Sequence, residues 1–236
     1  MPDTEIRPSG GAEVTFDPAE LFFSRTNPNG VIRSGNDVFQ RISGYPWDAL
    51  LGAPHNIIRH PDMPQAVFWL LWQAIKQGNP IGAYVKNRTR DGDYYWVFAI
   101  VTPIEGGYLS VRIRPTSGLL DTVAKAYAAH RQTELAEKLK PAESADRLLE
   151  RLAALGFPDY ATFMTTAAAQ EIKARSAVMQ QAHGDVTPIF NAMLEAHARP
   201  PAHGPPRFEA LHSTPSPPRQ LSCPGPASRQ PHPRAP

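Results

Sequence analysis

The chain has 236 residues, 42% hydrophobic and 19% charged, with a formal net charge of +2, which suits one or two globular domains. The net positive charge comes from the segment beyond His197, where arginines outnumber the lone Glu209; the rest is mildly acidic and lacks the basic footprint of a nucleic-acid binder. One cysteine, Cys223, excludes an intrachain disulfide framework and a Cys-rich metal site, no apolar stretch is long enough to span a bilayer, and the polar start is unlike a signal peptide, so a cytoplasmic protein is expected.

In chain order, residues 1–16 are rich in Pro, Gly and charge and read as a loose arm. Extended runs at Leu21–Thr26 and Gly30–Arg33 flank Asn27-Pro28-Asn29-Gly30, a turn signal because Asn and Gly accept positive φ and Pro pre-sets its own. A first hairpin is predicted there. Asn36 and Asp37 can cap a short helix through Ile42, and a second short helix over Trp47–Leu51 ends at Gly52.

The segment Asn56-Ile57-Ile58-Arg59-His60-Pro61-Asp62-Met63-Pro64 follows, with a cation, an imidazole, a carboxylate and two prolines. It reads as a shaped corner leading into a helix. Met63, Val67, Leu70, Leu71 and Ala74 recur at spacings of three and four, with Asp62 placed to cap that helix and Gly78 to stop it. Aromatic and β-branched content then predicts strands at Tyr84–Arg88, Tyr94–Ile104 and Tyr108–Arg114, whose short connections require antiparallel pairing. The order describes an α+β domain over 17–116, an antiparallel sheet with short helices gathered on one side. Corner, helix and strand together suggest a small-molecule pocket.

After Pro115 strong helix formers take over. Leu120, Val123, Tyr127, Leu135 and Leu139 are aligned as an apolar seam, with Pro141 ending the segment. A second helix carries Leu148, Leu149, Leu152 and Leu155 to Gly156, and a third starts at Phe157-Pro158-Asp159. Such seams need a partner surface, so 117–197 is expected to be a helical signalling or dimerisation region. From 198 to 236 Pro makes up about a third of residues and the periodicity is lost, which predicts a disordered tail. No Gly-x-Ser-x-Gly elbow, His-Glu-x-x-His pair or P-loop occurs, so an enzyme is not expected.

With these elements in order, residues 21–115 resemble a PAS domain, specifically the sensor module of bacterial aerotaxis receptors. The matching pieces are Gly44-Tyr45, Gly52 through Pro54-His55-Asn56, Arg59-His60-Pro61-Asp62-Met63-Pro64, Trp72, Val85-Lys86-Asn87-Arg88, Gly92-Asp93 and Tyr95-Trp96-Val97. The resemblance implies a five-stranded antiparallel sheet, a pocket closed by short helices, and non-covalent FAD as a redox or oxygen reporter. It implies cofactor roles for Arg59, His60, Asp62 and Asn87, with Asn36 and Trp72 at further pocket positions. The chain departs from the pattern at Ile81, where the family often has Trp, at the short Glu105-Gly106-Gly107 connection, and in lacking the receptors' membrane anchor and signalling rod.

Each residue also has an ordinary structural job. Arg59 can meet a pyrophosphate or a reduced flavin, or pair with Asp62 or Asp93; His60 can sense charge or hold a loop. Asp62 and Asn36 are good helix caps, and Trp72 suits a core. Asn87 lies on a strand, where Asn is disfavoured, which points to a specific hydrogen-bonding task. Two alternatives keep the same fold: haem, held by His60 or His55, and a cofactor-free dimerisation adaptor. The expected partners are a second copy or a chemotaxis signalling protein, through helices in 119–197, with no nucleic acid and no membrane span.

Overall fold

The computed structural model of the chain describes residues 11–183. The expected tail over 198–236 and the start of the expected arm lie outside them. Residues 12–14, at the end of that arm, are not loose: Val14 N–H donates to Tyr94 O at 2.7 Å, Tyr94 N–H to Ala12 O at 3.1 Å, and Phe16 is buried.

Strands β1 (Phe22–Thr26) and β2 (Ile32–Gly35) form the predicted hairpin, and the turn works through its side chain. Asn27 Oδ1 accepts from the amides of Asn29 and Val31 at 3.0 and 2.9 Å, while Gly30 takes φ +75°. Helix α1 (Asp37–Ser43) is capped by Asn36, whose Oδ1 accepts from Phe39 N–H at 3.3 Å and also from Phe23 N–H at 3.1 Å. Helix α2 (Trp47–Leu50), a 3-10 turn over His55–Ile58 and helix α3 (Gln65–Lys76) complete the helical layer. Strands β3 (Ile81–Arg88), β4 (Tyr94–Ile104) and β5 (Gly107–Ile113) follow. The result is one five-stranded antiparallel sheet of order β2-β1-β5-β4-β3, the expected α+β PAS architecture.

Strand alternation gives this sheet two faces. Ile81, Ala83, Val85 and Asn87 of β3 face the same way as Tyr95, Val97, Ala99 and Val101 of β4, inward toward α1–α3. Tyr84 and Phe98 face the other side, packed edge to face at 4.9 Å, and both are buried. Three C-terminal helices follow, α4 (Leu119–Glu137), α5 (Pro141–Ala154) and α6 (Tyr160–His183); α6 covers this pair, whereas α5 packs against α3. α6 crosses β3 so closely that a Cβ on Gly82 would stand 3.2 Å from Met164 Cβ, and Trp96 of β4 leans on Tyr127 of α4.

Two expectations change here. Asp62 does not cap α3: the residue before the helix is Pro64, which has no side-chain acceptor, and Asp62 pairs instead with Lys86 Nζ at 2.8 Å. The cap comes from α4, where Glu134 accepts from the amides of Gln65 at 3.1 Å and Ala66 at 3.2 Å. The seam of α4 also differs. Val123 and Tyr127 are buried as expected, but the stripe continues through His130 and Glu134, and Leu135 is exposed. Pro141 opens α5 at its first turn, where a missing N–H has no consequence.

A second buried carboxylate fixes α6. Glu171 accepts from Tyr84 Oη at 2.7 Å, Ser117 Oγ at 2.6 Å, and the amides of Thr116 and Ser117 at 2.7 and 3.1 Å. Nearby, Arg175 donates to the carbonyls of Pro18 and Ala19 at 2.6 and 3.1 Å. Replacing Glu171 by Ala strands one buried and three part-buried donors and is expected to lower unfolding free energy by about 2–4 kcal/mol, with Y84F losing about 1 kcal/mol. Urea denaturation of the two variants against the parent chain checks the ranking.

Candidate functional site

The segment Ala53–His60 reaches from one edge of the sheet to the other. At the β2 edge, Ile32 N–H donates to Ala53 O and His55 N–H to Gly30 O, both at 2.9 Å. At the β3 edge, Arg59 forms a bridge with Asn87 and His60 N–H donates to Lys86 O at 3.4 Å. Between them the 3-10 turn closes over the inner face and leaves a cavity of about 200 Å³.

Its apolar walls come from Phe68, Leu71, Trp72 and Ile75 of α3, Val85 of β3, and Ala99 and Val101 of β4. The polar groups are Ser24, His55, Arg59, Asn87, Ser110 and Arg112. No Asp or Glu is among the lining residues. Asn87 Nδ2, Arg59 Nε and Arg112 Nη1 are buried without a partner, so each has donor capacity to give a ligand. Buried donors left unpaired cost about 1–3 kcal/mol each, more when charged, and an acceptor-rich ligand removes that penalty.

Arg112 and His55 form the floor. Arg112 Nη2 donates to Ser24 Oγ at 2.9 Å and to His55 Nε2 at 2.6 Å, which makes that nitrogen an acceptor and the imidazole neutral. Burial, then the positive charges of Arg112 and Arg59, push the His55 pKa down to about 3. Burial likewise lowers Arg112 to about 10, still charged at neutral pH. The Arg59 guanidinium lies 3.7 Å over the Phe68 ring, a cation–π contact that orients it at the cavity mouth.

Of the six residues named from sequence, Arg59, Trp72 and Asn87 line the cavity and three others do not. Asn36 is committed to backbone: besides its two accepted bonds, its Nδ2 donates to Leu21 O at 2.7 Å. His60 is buried at the β3 edge, where its Nδ1 accepts from Asp62 N–H at 3.2 Å; burial, then Lys86, lowers its pKa. Asp62 is exposed beside Lys86. For the haem alternative, His60 is outside the lining and the Nε2 of His55 is already bonded. Ile81 is buried in the sheet and does not line the cavity; Phe68, Trp72 and Tyr108 supply the aromatic faces, the last two in edge contact at 5.6 Å.

Sequence reasoning missed Arg112 and Ser24 and placed His55 only as a candidate haem ligand. A signal existed: Tyr108, Ser110 and Arg112 alternate along β5, so one period-two set carries hydroxyls and a cation where a core strand would carry aliphatics.

A cavity of about 200 Å³ is smaller than the roughly 300–1,000 Å³ of drug-sized ligand sites, so it admits a ring system rather than a whole dinucleotide. It opens outward. Asn29, Arg59, Phe68 and Trp72 also line an outer groove with Trp69, Gln73, Lys76 and Pro141, where a longer tail finds aromatic, amide and cationic groups. The residues fit a flavin: donors for a ring edge rich in acceptors, aromatic faces, and cations at the mouth for phosphate.

The neutral His55 has a pH signature. Its pKa is depressed on folding, so its favourable contribution is complete above about 6.5 and is lost as pH falls toward about 3. The charged groups facing it are Arg112 and Arg59, and His60 and His130, also lowered, act in the same direction. H55Q is expected to flatten the loss of stability between pH 6.5 and 4 relative to the parent chain. Thermal melts across that range read the difference in slope.

Residues 32–111 match the family model described as the PAS fold. Over 111 residues the chain is 43% identical to the aerotaxis receptor of Escherichia coli (strain K12), covering 45% of this chain and 22% of the receptor. The bacterioopsin transcriptional activator of Halobacterium salinarum is 28% identical over 152 residues, 64% of this chain and 21% of that protein. The chain thus spans about a fifth of the length of these curated relatives. A solved PAS domain from Colwellia psychrerythraea covers 40% of this chain and 85% of its own, at 21% identity and a TM-score of 0.37. The matched segment lies within the five-stranded sheet, so residues 32–111 form a domain of the PAS fold.

Proposed function

We propose that the protein is a cytoplasmic redox- or oxygen-linked sensor whose PAS domain holds FAD non-covalently and signals through its C-terminal helices. The observation that carries this reading is the set of buried, unpaired donors on Asn87, Arg59 and Arg112 around a cavity without a carboxylate. The 43% identity to the aerotaxis receptor across the PAS region supports it.

Flavin, when bound, supplies a reversible redox change that alters the charge and hydrogen bonding of its ring. The protein's own groups are arranged to discriminate such states. Arg59 and Arg112 put two cations at a site of low polarity, which favours the more negative form of any ligand there. Asn87 offers both a donor and an acceptor, so its carboxamide can satisfy either protonation state of a ring edge. His55 holds Arg112 from one side, leaving Nη1 free. A ligand biases a conformational equilibrium only through different contacts in the two states, and these three side chains are where the contacts differ.

The absorption spectrum of freshly purified protein tests the reading: two broad flavin bands are expected, whereas a colourless protein that takes up no added FAD sinks it, and a sharp Soret band favours haem. Asn87→Ala is expected to weaken FAD retention by about tenfold or more, with the circular dichroism unchanged. Full occupancy in that variant assigns Asn87 to structure alone.

A further inference from the structure

α3 forms one wall of the cavity yet has no cap of its own. Pro64 precedes it, and the amides of Gln65 and Ala66 depend on Glu134, 69 and 68 residues away. The Glu134 carboxylate is fully buried, and its other partners are Ser144 Oγ of α5 at 2.5 Å and Arg131 Nη1 of α4 at 2.9 Å. One carboxylate therefore joins three helices. Arg131 Nε also reaches Pro61 O at 3.1 Å, and Gln65 Nε2 reaches Leu139 O at 2.6 Å, so the corner that carries Arg59 is tied to the same knot.

The knot is built as a unit. Ser144 gives its proton to Glu134 and accepts from His130 Nε2 at 2.8 Å, which places a proton on that nitrogen, and burial lowers the His130 pKa in favour of the neutral ring. Burial alone would raise the Glu134 carboxyl, but the bonds from Ser144, Arg131 and the two amides outweigh it and hold the group below its ordinary value. The charge also sits against the positive end of α3. Withdrawing it strands two amides and a hydroxyl together, so partial release is disfavoured and the contact is either made or broken.

We propose that Glu134 is a latch coupling occupancy of the cavity to docking of α4 and α5 against α3, so that ligand state is read out as engagement or release of these helices. The inference rests on the flavin reading. Two observations support the coupling. Phe68, Leu71, Trp72 and Ile75, which a ligand would contact, stand on the helix whose first turn the latch holds. Pro141, the first residue of α5, lines the outer groove beside Arg59, so the ligand's exit lies against a latched element. Linkage is reciprocal: whatever docking adds to ligand affinity, ligand adds to docking.

Hydrogen exchange of the full chain, depleted of flavin and then supplied with FAD, tests this in the parent, E134Q and R131A. FAD is expected to slow exchange in the first turn of α3 and in α4–α5 of the parent. Both variants are expected to exchange faster there without FAD and to bind it about tenfold more weakly. FAD binding with no change of exchange in α4–α5, or with parental affinity in the variants, overturns the latch and leaves the flavin reading standing. Failure of the parent to bind FAD overturns both. R131A leaves the carboxylate in place and decides the matter if E134Q does not fold.

Discussion

The structure turns on a short segment that is hydrogen-bonded to both edges of one sheet. Five strands spaced about 4.8 Å apart span roughly 19 Å. The path from Ala53 to Arg59 contains a 3-10 turn, rising only about 2 Å per residue, and covers roughly 15 Å. The sheet therefore curls to bring β2 and β3 within reach, and the concave face becomes a cavity. The same bonds cover two edges that would otherwise invite pairing with other chains. Pro54 and Pro61 restrict the backbone on either side of the crossing, while its amides serve as edge partners.

A curled sheet with a hollow on one side needs firm packing on the other. Tyr84 and Phe98 meet α6, and Trp96 meets α4, so the middle of β3 and β4 is covered on its outer face too, in a region where antiparallel sheets often face water. That cover suits the near-continuous apolar run of β4. It also explains the use of carboxylates: Glu134 and Glu171 each take several directed hydrogen bonds, which sets where a helix docks in a way that apolar contact does not.

What could be read from the sequence was local chemistry. The Asn27–Gly30 turn, the Asn36 cap and the strand pattern of β4 each depend on residues within a few positions. The α3 cap could not be read so: Asp62 has the right residue type, but Pro64 intervenes and the true acceptor comes from a helix far along the chain. The α4 seam failed for a related reason. A search for apolar residues selects Leu135 and passes over His130 and Glu134, because their polarity is satisfied only by Ser144 and α3, which the pattern of α4 does not contain. The match across 21–115 located the pocket corner, but three of the six residues it named hold the frame around the cavity.

Arg112 shows why the cavity is more than a packing defect. A buried guanidinium without a carboxylate carries a desolvation penalty of several kcal/mol, and stability alone would favour an aliphatic residue on a central strand. The chain instead supports it with a neutral imidazole and a serine hydroxyl, neither of which cancels the charge. Had His55 been an acid, the pair would be neutral and the cavity indifferent to ligand charge. With His55 kept uncharged by burial first and then by Arg112 and Arg59, the positive field persists at the floor and the mouth. A site built this way binds the more negative of two ligand states more tightly, the asymmetry that the proposed redox sensing requires before any helix moves.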